Sequence, residues 1–513
     1  MNALDSTPPR EPHHVAGETK HPAGWAAPGV EKISVDAVNS KEERVLYQKR
    51  KKIHPRLAHG TFRRLKWFLL LFTLGVYYLL PWVRWDRGPG LPNQAVLADM
   101  ANSRFYFFFI EVWPQELYYI TGLLVLAALG LFLVTAIAGR VWCGYFCPQT
   151  VWTDLMVAVE RLWQGDRTAR ILLDKKPWGI EKIFKKLMTH ITWLLIALAT
   201  GGAWVFYFQD APTLAAELMN GTAATPAYLF IGILAVSTYL LGAIAREQVC
   251  IYMCPWPRIQ GAMLDRDSLL VTYRDFRGEP RGPVRKSQGF EGRGDCNDCK
   301  ACVAGCPMGI DIRAGAQLEC IGCALCIDAC DEIMDKIGRP RKLVAYDTYR
   351  NLESEAKGGP LKLNPIRPRT MIYVGLMALV TAAMAFGLSR RTVLEVNVLH
   401  DREPLYVNLS DGSIRNGFTF KILNKRYETR KIMIQTQGLA GAKLQIAGQA
   451  DSPQPVVDVE PDDLRELRVY VVVPPSTADK LPASGRQQFR FVVRDTEDGL
   501  TTGRDSDFRS AAR

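Results

Sequence analysis

The chain has 513 residues, of which 48% are hydrophobic, and a formal net charge of +12. It is too long for one compact domain, and its length predicts about three or four units. The basic residues adjoin apolar blocks and do not alternate with exposed aromatic residues, so membrane orientation explains the charge better than nucleic-acid binding.

The first part of the chain, residues 1–60, is predicted to be a disordered, basic cytoplasmic tail. Its first forty residues are rich in Pro, His, Ala and charged side chains and contain no apolar segment typical of a signal peptide. We therefore expect no cleaved leader.

Five apolar blocks are long enough to cross a hydrocarbon core of about 30 Å. Four of them belong to a predicted membrane part at 61–246, and the fifth forms a predicted helix at 371–391. A short run from Phe105 to Ile110 cannot span and is expected at the interface or against the helices. The five blocks are 67–84, 117–138, 187–208, 227–245 and 371–389.

The flanking charges predict the orientation of these helices. Residues 41–66 contain ten Lys and Arg, 84–116 contain three, 140–186 contain nine and 209–226 contain none. Basic flanks stay on the cytoplasmic side. The alternation predicts a cytoplasmic N-terminus and a periplasmic C-terminal segment in a bacterial inner membrane.

A cysteine motif occurs twice after membrane helices. Cys143-Gly-Tyr-Phe-Cys147-Pro148 follows the second predicted helix, and Cys250-Ile-Tyr-Met-Cys254-Pro255 follows the fourth. This internal repeat predicts that the two motifs face each other at one membrane depth. Four soft sulfur ligands would suit Cu(I), so we expect a copper or redox site, with buried structural thiols as the alternative.

Two further cysteine runs lie in a predicted cytoplasmic ferredoxin domain at 247–370. They are Cys296-x2-Cys299-x2-Cys302-x3-Cys306 and Cys320-x2-Cys323-x2-Cys326-x3-Cys330. This spacing predicts two [4Fe–4S] clusters, with the last cysteine of each run reaching the other cluster. One predicted ligand set is Cys296, Cys299, Cys302 and Cys330; the other is Cys306, Cys320, Cys323 and Cys326.

The sequence gives little support for structural zinc, disulfides, haem or a nucleotide cofactor. Structural zinc favours separated Cys-x2-Cys pairs, and disulfides require an oxidising compartment. His190 is the one histidine in or beside the middle helices, and no Gly-x-Gly-x-x-Gly fingerprint is present. We therefore expect an electron relay whose donor the sequence does not identify.

The last segment, 392–513, changes to alternating apolar and polar residues. The clearest runs are Leu394–Val398, Phe418–Ile422, Lys431–Gln435, Leu467–Val473 and Phe489–Val493. About seven short strands of this kind predict an immunoglobulin-like β-sandwich. The predicted fold class is thus mixed: a bundle of about five membrane helices, an inserted dicluster ferredoxin and a β-sandwich.

This combination closely resembles the CcoG family, also called FixG or RdxA, of cytochrome c oxidase accessory proteins. The resemblance covers nearly the whole chain from about residue 40, including Asn416-Gly-Phe-Thr-Phe-Lys-Ile-Leu-Asn-Lys425. It implies that the chain reduces Cu(II) to Cu(I) during assembly of a cbb3-type oxidase. The eight cysteines from Cys296 to Cys330 carry over as cluster ligands, and Cys143, Cys147, Cys250 and Cys254 as motif members.

The resemblance also implies partners, namely copper ions, copper chaperones and cbb3 assembly factors. The oligomeric state is open, and a homodimer is compatible with the sequence. No acid–base residue is needed, so we predict no catalytic side chain beyond the metal ligands, and the chain is a cupric reductase only if copper is its acceptor. The alternatives are a quinol-linked subunit that feeds a separate reductase and a non-enzymatic assembly scaffold or redox sensor.

Overall fold

The structure is a computed structural model in which two compact units, 1–382 and 383–513, divide the chain. The first unit holds most of the apolar helices and the ferredoxin segment, and the second holds the β-sandwich. The described residues are 35, 37, 52–88, 91–283, 291–390, 394–425, 428–449, 454–461, 463–478, 481–482 and 484–511.

Five helices among the described residues are long and apolar enough to cross a membrane, as predicted. Each has 21 to 26 residues, and at a rise of about 1.5 Å per residue such a helix spans the hydrocarbon core. The predicted number of candidate spans is confirmed, and each predicted block overlaps one of these helices. They are Thr61–Trp82, Tyr118–Ala138, Ile180–Val205, Thr225–Ala245 and Pro368–Ser389.

The helices before the ferredoxin segment are α1 (Thr61–Leu79), α2 (Tyr118–Ala138), α3 (Pro148–Gln164), α4 (Arg167–Lys175), α5 (Ile180–Val205), α6 (Ala211–Asn220), α7 (Thr225–Thr238) and α8 (Trp256–Met263). Small residues allow some of them to pack closely. A Cβ at Gly201 would lie 2.7 Å from the carbonyl oxygen of Ile231, so only glycine permits the observed approach of α5 and α7.

A small antiparallel sheet lies between α1 and α2, and it was not predicted from the sequence. It consists of β1 (Val96–Asp99), β2 (Arg104–Phe107) and β3 (Ile110–Val112) in that order. The short apolar run from Phe105 to Ile110 therefore forms part of a sheet. Strands of three or four residues give too short an alternation to recognise in a sequence.

The segment before α1 corrects one prediction. Residues 52–60, assigned above to the disordered tail, are ordered: Ile53 and Ala58 are buried, and the amide of Arg56 donates to the carbonyl of Ala304 at 2.7 Å. Extended backbone without regular hydrogen bonds is easily mistaken for disorder in a sequence. Apart from residues 35 and 37, the preceding part of the predicted tail lies outside the described residues.

A carboxylate from the ferredoxin segment caps the first membrane helix. Asp328 accepts hydrogen bonds from the amides of Phe62 at 3.2 Å and Arg63 at 2.7 Å. These are amides of the first helical turn, which have no partner inside the helix. A Cβ at Gly60 would overlap the Asp328 carboxylate, so glycine allows this cap.

The ferredoxin segment is built on two similar halves. Its helices are α9 (Asp275–Gly278), α10 (Ala301–Gly305), α11 (Leu325–Lys336) and α12 (Tyr349–Ala356). Lys300 and Ala324 adopt left-handed backbone angles, with φ of 53° and 58°, and directly precede α10 and α11. The strands β4 (Leu270–Tyr273) and β5 (Val344–Asp347) pair antiparallel beside them.

Helix α13 (Pro368–Ser389) is the fifth candidate span, and nine strands are described after it. They are β6 (Leu394–His400), β7 (Val407–Asn408), β8 (Ile414–Asn424), β9 (Arg430–Gln437), β10 (Lys443–Ile446), β11 (Val456–Val459), β12 (Asp463–Val473), β13 (Arg486–Asp495) and β14 (Thr501–Arg509). A short helix, α14 (Pro475–Ala478), follows β12. The sequence indicated about seven strands, and all five runs quoted above lie in strands.

These strands form two sheets. One has the order β10-β12-β8-β6, with β7 also paired to β8; the other has the order β11-β9-β13-β14. Apolar side chains such as Phe418, Phe420 and Phe491 fill the core between them. This arrangement confirms the predicted immunoglobulin-like sandwich.

Candidate electron-transfer site

The two ferredoxin cysteine runs occupy equivalent places in the two halves of the segment. In each run the third cysteine lies in the helix that follows a left-handed residue: Cys302 in α10 and Cys326 in α11. The last cysteine of the first run, Cys306, directly follows α10, while Cys330 lies within α11. Helix α10 packs against α11, which brings the end of each run towards the other.

The electrostatic neighbours of these thiols follow the two predicted sets. Burial raises the pKa of Cys330 to about 12, and its thiol neighbours are Cys299 and Cys296. Burial likewise raises the pKa of Cys306 to about 12, and Cys323 and Cys320 lie beside it. Each run therefore meets the last cysteine of the other run, as the ferredoxin spacing predicts. The assignment of these thiols as ligands remains a prediction.

The environment of the thiols fits iron–sulfur clusters. A small cavity is lined by Cys302, Cys306, Cys320, Cys323 and Cys326 together with apolar side chains such as Ile310 and Ile321. Buried thiols resist ionisation alone, whereas a bound metal centre stabilises the thiolate. Among the described residues, no group of three or more His, Cys, Asp and Glu side chains is spaced to hold a single metal ion.

The two Cys-x3-Cys-Pro motifs fold as π-helical turns. The amide of Cys147 donates to the carbonyl of Trp142 at 2.9 Å, and the amide of Cys254 donates to that of Val249 at 2.8 Å. Single π turns are often found at functional sites. Pro148 is the first residue of α3, where its missing amide needs no partner, and Pro255 is the N-cap residue of α8.

The repeat brings the four motif thiols together, and we name Cys143, Cys147, Cys250 and Cys254 the thiol tetrad. Burial raises the pKa of Cys143 to about 12, and the thiols of Cys147 and Cys254 are among its neighbours. Burial also raises the pKa of Cys250 to about 12, and the thiols of all three other tetrad members are among its neighbours. The two motifs thus face each other, as the repeat predicted.

The buried side chain of Gln260 forms a hydrogen bond with one member of the tetrad. The thiol of Cys143 donates to Oε1 of Gln260 at 3.2 Å, and Nε2 of Gln260 donates to the hydroxyl of Thr135 at 3.3 Å. Gln260 was not predicted from the sequence, since a single glutamine carries no recognisable signal. Met253, in the same turn as Cys250, is 63% exposed.

The thiol tetrad packs directly on one of the two ferredoxin sets. Cys143 and Cys250 lie against an apolar cluster that includes Met308, Ile321 and Cys323. The hydroxyl of Tyr145, in the first motif, donates to the carbonyl of Cys323 at 3.2 Å. Members of the tetrad and of the second predicted ligand set therefore pack in the same apolar cluster.

Two glycines make this contact close. A Cβ at Gly144 would lie 3.0 Å from backbone atoms of Gly322 and Cys323. A Cβ at Gly322, whose φ is +68°, would lie 3.2 Å from backbone atoms of Arg140. The backbone of the first motif thus contacts the ferredoxin loop without an intervening side chain.

Arg140 joins the same two parts through hydrogen bonds. Its buried guanidinium donates to the carbonyl of Cys320 at 2.9 Å and to that of Pro257 at 2.8 Å, and also to the carbonyl of Leu318. The sequence showed Arg140 only as a basic residue at a helix end. Its role in holding the ferredoxin loop depends on contacts distant in sequence.

The second motif is held by a buried ionic network. Glu160 lies 2.7 Å from Arg246 and 3.0 Å from Arg170. Burial alone raises the pKa of Glu160, but the positive charge and hydrogen bonds of Arg246, with Lys52 and Arg170, outweigh it and lower the pKa to about 2. The network therefore ties α3 and α4 to the residue four positions before Cys250.

Three family models match the chain. A model of a 4Fe–4S dicluster domain matches residues 245–349, a model of a 4Fe–4S binding domain matches 120–164, and a model of the immunoglobulin-like fold at the C-terminus of FixG matches 384–511. The second match includes Cys143 and Cys147, where the sequence favoured a copper or redox site or structural thiols.

Curated relatives match over most of their length. Nitrogen fixation protein FixG of Rhizobium meliloti is 51% identical over 476 residues, which cover 87% of this chain and 91% of the relative. Protein RdxB of Cereibacter sphaeroides is 49% identical, with 90% and 97% covered. Protein RdxA of the same organism is 48% identical, with 86% and 92% covered.

A solved structure also matches part of the chain. The crystal structure of a FixG-related protein from Vibrio parahaemolyticus is 19% identical, with 23% of this chain and 98% of that chain covered and a TM-score of 0.19.

Proposed function

The chain belongs to the FixG, RdxA and RdxB family of membrane iron–sulfur electron-transfer proteins, and we propose that it reduces Cu(II) to Cu(I) for assembly of a cbb3-type cytochrome c oxidase. In this proposal the thiol tetrad is the place where copper is reduced or received. The eight cysteines from Cys296 to Cys330 bind two [4Fe–4S] clusters.

The observation that carries the proposal is the direct packing of the tetrad on the ferredoxin loop. Cys143 and Cys250 contact the apolar cluster around Cys323, and the glycine contacts described above bring the two backbones together. When bound, [4Fe–4S] clusters supply electrons one at a time, which is what the conversion of Cu(II) to Cu(I) requires.

The chemistry of the tetrad favours the reduced product. Thiolate sulfur is a soft ligand that prefers Cu(I) to Cu(II). Gln260 forms a hydrogen bond with Cys143, and each cysteine pair lies in a π turn that is followed directly by a proline and a helix. In this proposal the tetrad offers the acceptor ion soft sulfur ligands that stabilise it after it gains one electron.

We further propose the orientation given by the positive-inside rule. The N-terminus, the tetrad and the ferredoxin domain (247–370) face the cytoplasm of a bacterium, and the β-sandwich (392–513) faces the periplasm across the inner membrane. Copper chaperones and oxidase assembly factors would then receive Cu(I), and the oligomeric state, including a homodimer, is left to experiment.

A quinol-linked relay is the second candidate, and one cavity favours it. The cavity has a volume of about 160 Å³ and is lined by Cys320, Arg140, Gln317 and Tyr346 among mostly apolar side chains. Such a lining could take a ring with polar edges beside a predicted cluster ligand. In that case the acceptor would be a separate reductase.

The deciding experiment mixes the dithionite-reduced, purified protein with Cu(II) without oxygen, in the presence of a Cu(I)-specific chelator. We expect loss of the reduced cluster absorbance to match the Cu(I) formed. A Cys143→Ser/Cys250→Ser double variant should form at least about tenfold less Cu(I), because two of the soft ligands are gone. Met253→Leu, in the same turn as Cys250 and Cys254 but exposed, is the matched control and should retain the rate.

Iron analysis of the same variants separates two roles of the tetrad. Unchanged iron content in the double variant would place copper there, whereas a loss of iron would make the tetrad an additional iron–sulfur site. If the reduced protein leaves Cu(II) unchanged but is reoxidised by a quinone, the copper proposal is wrong and the relay replaces it.

A further inference from the structure

The three-stranded sheet β1–β3 has one wholly apolar face, and that face is the less buried of the two. Because side chains alternate along a strand, the register places the members of this face opposite one another in neighbouring strands. Phe107 is exposed, and the other members are half-buried. Antiparallel sheets in water normally show the reverse arrangement, with the polar face outside. We name this the outer face, and it consists of Val96, Ala98, Phe105, Phe107, Ile110 and Val112.

The charged side chains of the sheet lie on its other face, which the chain itself covers. Arg104 lies 3.5 Å from Glu111, and its guanidinium carbon is 4.2 Å from the centre of the Trp113 ring. The guanidinium of Arg87 lies over the ring of Tyr106. Glu111, Trp113 and Tyr106 are buried. The outer face is therefore the one that meets the surroundings of the protein.

The tip of the β2–β3 hairpin, formed by Phe108 and Phe109, lies beside the end of the first membrane span. Val83 directly follows that span, and its carbonyl accepts the amide of Ala95 at 2.9 Å. The carbonyl of Ala95 in turn accepts the amide of Phe108 at 2.7 Å. Hydrogen-bonded neighbouring backbones are about 5 Å apart, so the tip lies within about 10 Å of the end of the span. Since the headgroup region of a bilayer is roughly 5–8 Å thick on each side, the tip lies at the membrane boundary.

Aromatic side chains continue from this span to the hairpin tip. Trp82 and Trp85 are both exposed, and the ring of Trp85 lies 5.6 Å from that of Phe108. The ring of Phe108 lies 5.2 Å from that of Phe107, on the outer face. Aromatic rings are enriched where hydrocarbon meets water. The outer face and the tip thus continue the lipid-facing surface of the span.

We propose that the outer face and the hairpin tip bind phospholipid in the interfacial layer of the bilayer. Lipid is the occupant because the surface is apolar throughout, begins where a membrane span ends and lies at the depth of the headgroups. The sheet is thus a lateral anchor for the ends of α1 and α2 that lie away from the ferredoxin segment. The anchor does not depend on copper chemistry, so the failure of either proposal leaves the other standing.

The first test is photo-cross-linking of the full-length protein in nanodiscs of palmitoyl-oleoyl phosphatidylethanolamine and phosphatidylglycerol. Separate variants carry p-benzoylphenylalanine, which inserts into nearby C–H bonds on irradiation, in place of Phe107 or Phe109. We expect mass spectrometry to find phospholipid adducts at both positions. Cross-links that go mainly to peptides of the β-sandwich or of a second copy would overturn the proposal.

Phe276 in α9 is the matched control position, because it is an exposed phenylalanine of the ferredoxin segment. Its neighbour Arg277 donates to the carbonyl of Arg341 at 2.9 Å, beyond the end of α11 opposite to the thiol tetrad. The same photoreactive residue at this position should give at least about tenfold fewer lipid adducts, since it lies outside the hydrocarbon and headgroup layers. Equal lipid adducts at all three positions would also contradict the proposal.

Hydroxyl-radical footprinting tests the unaltered chain, because oxidation of a side chain follows its access to water. The protein alone leaves Phe109 79%, Phe107 55% and Phe276 42% exposed. If water covered the outer face, oxidation in nanodiscs would follow that order. Lipid cover predicts the reverse, with Phe276 oxidised fastest and the other two protected. Oxidation in the order of protein exposure would therefore refute the anchor.

Discussion

At the scale of single residues, the contact between the thiol tetrad and the ferredoxin segment depends on glycines, whose lack of a side chain lets the two backbones approach. A methyl group on Gly322 would lie 3.2 Å from backbone atoms of Arg140, so the neighbouring backbone would have to shift to accept it. The φ of Gly322, +68°, is also in the left-handed region that glycine adopts without strain. Any replacement of Gly322 therefore has two separate penalties, one from the close contact with Arg140 and one from the left-handed backbone.

Gly338 allows the two penalties to be separated, since its φ is +67° and a Cβ added there would meet nothing within 4 Å. Gly338→Ala should cost about 1 kcal/mol from backbone strain alone. Gly322→Ala should cost at least about 1 kcal/mol more, because Arg140 must move as well. Thermal unfolding measures both costs, and hydrogen exchange at the Leu318–Gly322 amides should increase only in Gly322→Ala. Equal behaviour of the two variants would show that the close contact does not matter.

At the scale of elements, an ion pair between Glu160 and Arg246 joins helix α3 to the residues just before the second motif. Glu160 pairs with Arg246 and Arg170 away from solvent. A buried carboxylate between two guanidiniums cannot be removed without leaving positive charge uncompensated.

We therefore expect Glu160→Gln to destabilise the protein by about 3–5 kcal/mol in chemical unfolding. Glu353→Gln, which breaks an exposed pair with Arg266 at 2.8 Å, is the control and should cost less than about 1 kcal/mol.

The same network predicts a dependence on pH. The pKa of Glu160 is lowered from 4.5 to about 2 in the folded chain, after burial and the opposing cations are both counted. A depressed pKa contributes stability that is present above pH 4.5 and is lost as the pH falls towards 2. Glu160→Gln should remove this part of the acid destabilisation, and an identical acid profile in both proteins would contradict the assignment.

Elements also show where sequence reasoning succeeds. Long apolar blocks and repeated cysteine spacings are local patterns, so the five spans and the similarity of the two halves could be predicted. Strand β14 could not, because its sequence Thr-Thr-Gly-Arg-Asp-Ser-Asp-Phe-Arg is polar and only Phe508 is buried. The π turns, the Gln260 contact and the ordered residues 52–60 likewise depend on partners far along the chain.

At the scale of the whole molecule, the proposed direction of electron flow requires a defined topology. In the proposed orientation the ferredoxin segment faces the cytoplasm, which the counts of basic residues in the connections favour.

Alkaline phosphatase fusions test this orientation. A fusion after residue 391 should be active, because the enzyme works only outside the cytoplasm, and a fusion after residue 175, in the second connection, should be inactive. The reverse pattern would overturn the proposed orientation. Immunoblotting of the fusions controls for expression.

The cap that Asp328 provides for α1 has a consequence for biogenesis. During synthesis the first helix emerges and enters the membrane long before Asp328 is translated, so its first amides lack their partner. The helix reaches its final state only when the segment with the second cysteine run has been made and has folded back. Folding of this segment thus completes the first turn of α1, and a chain truncated before Asp328 would leave the amides of Phe62 and Arg63 without this partner.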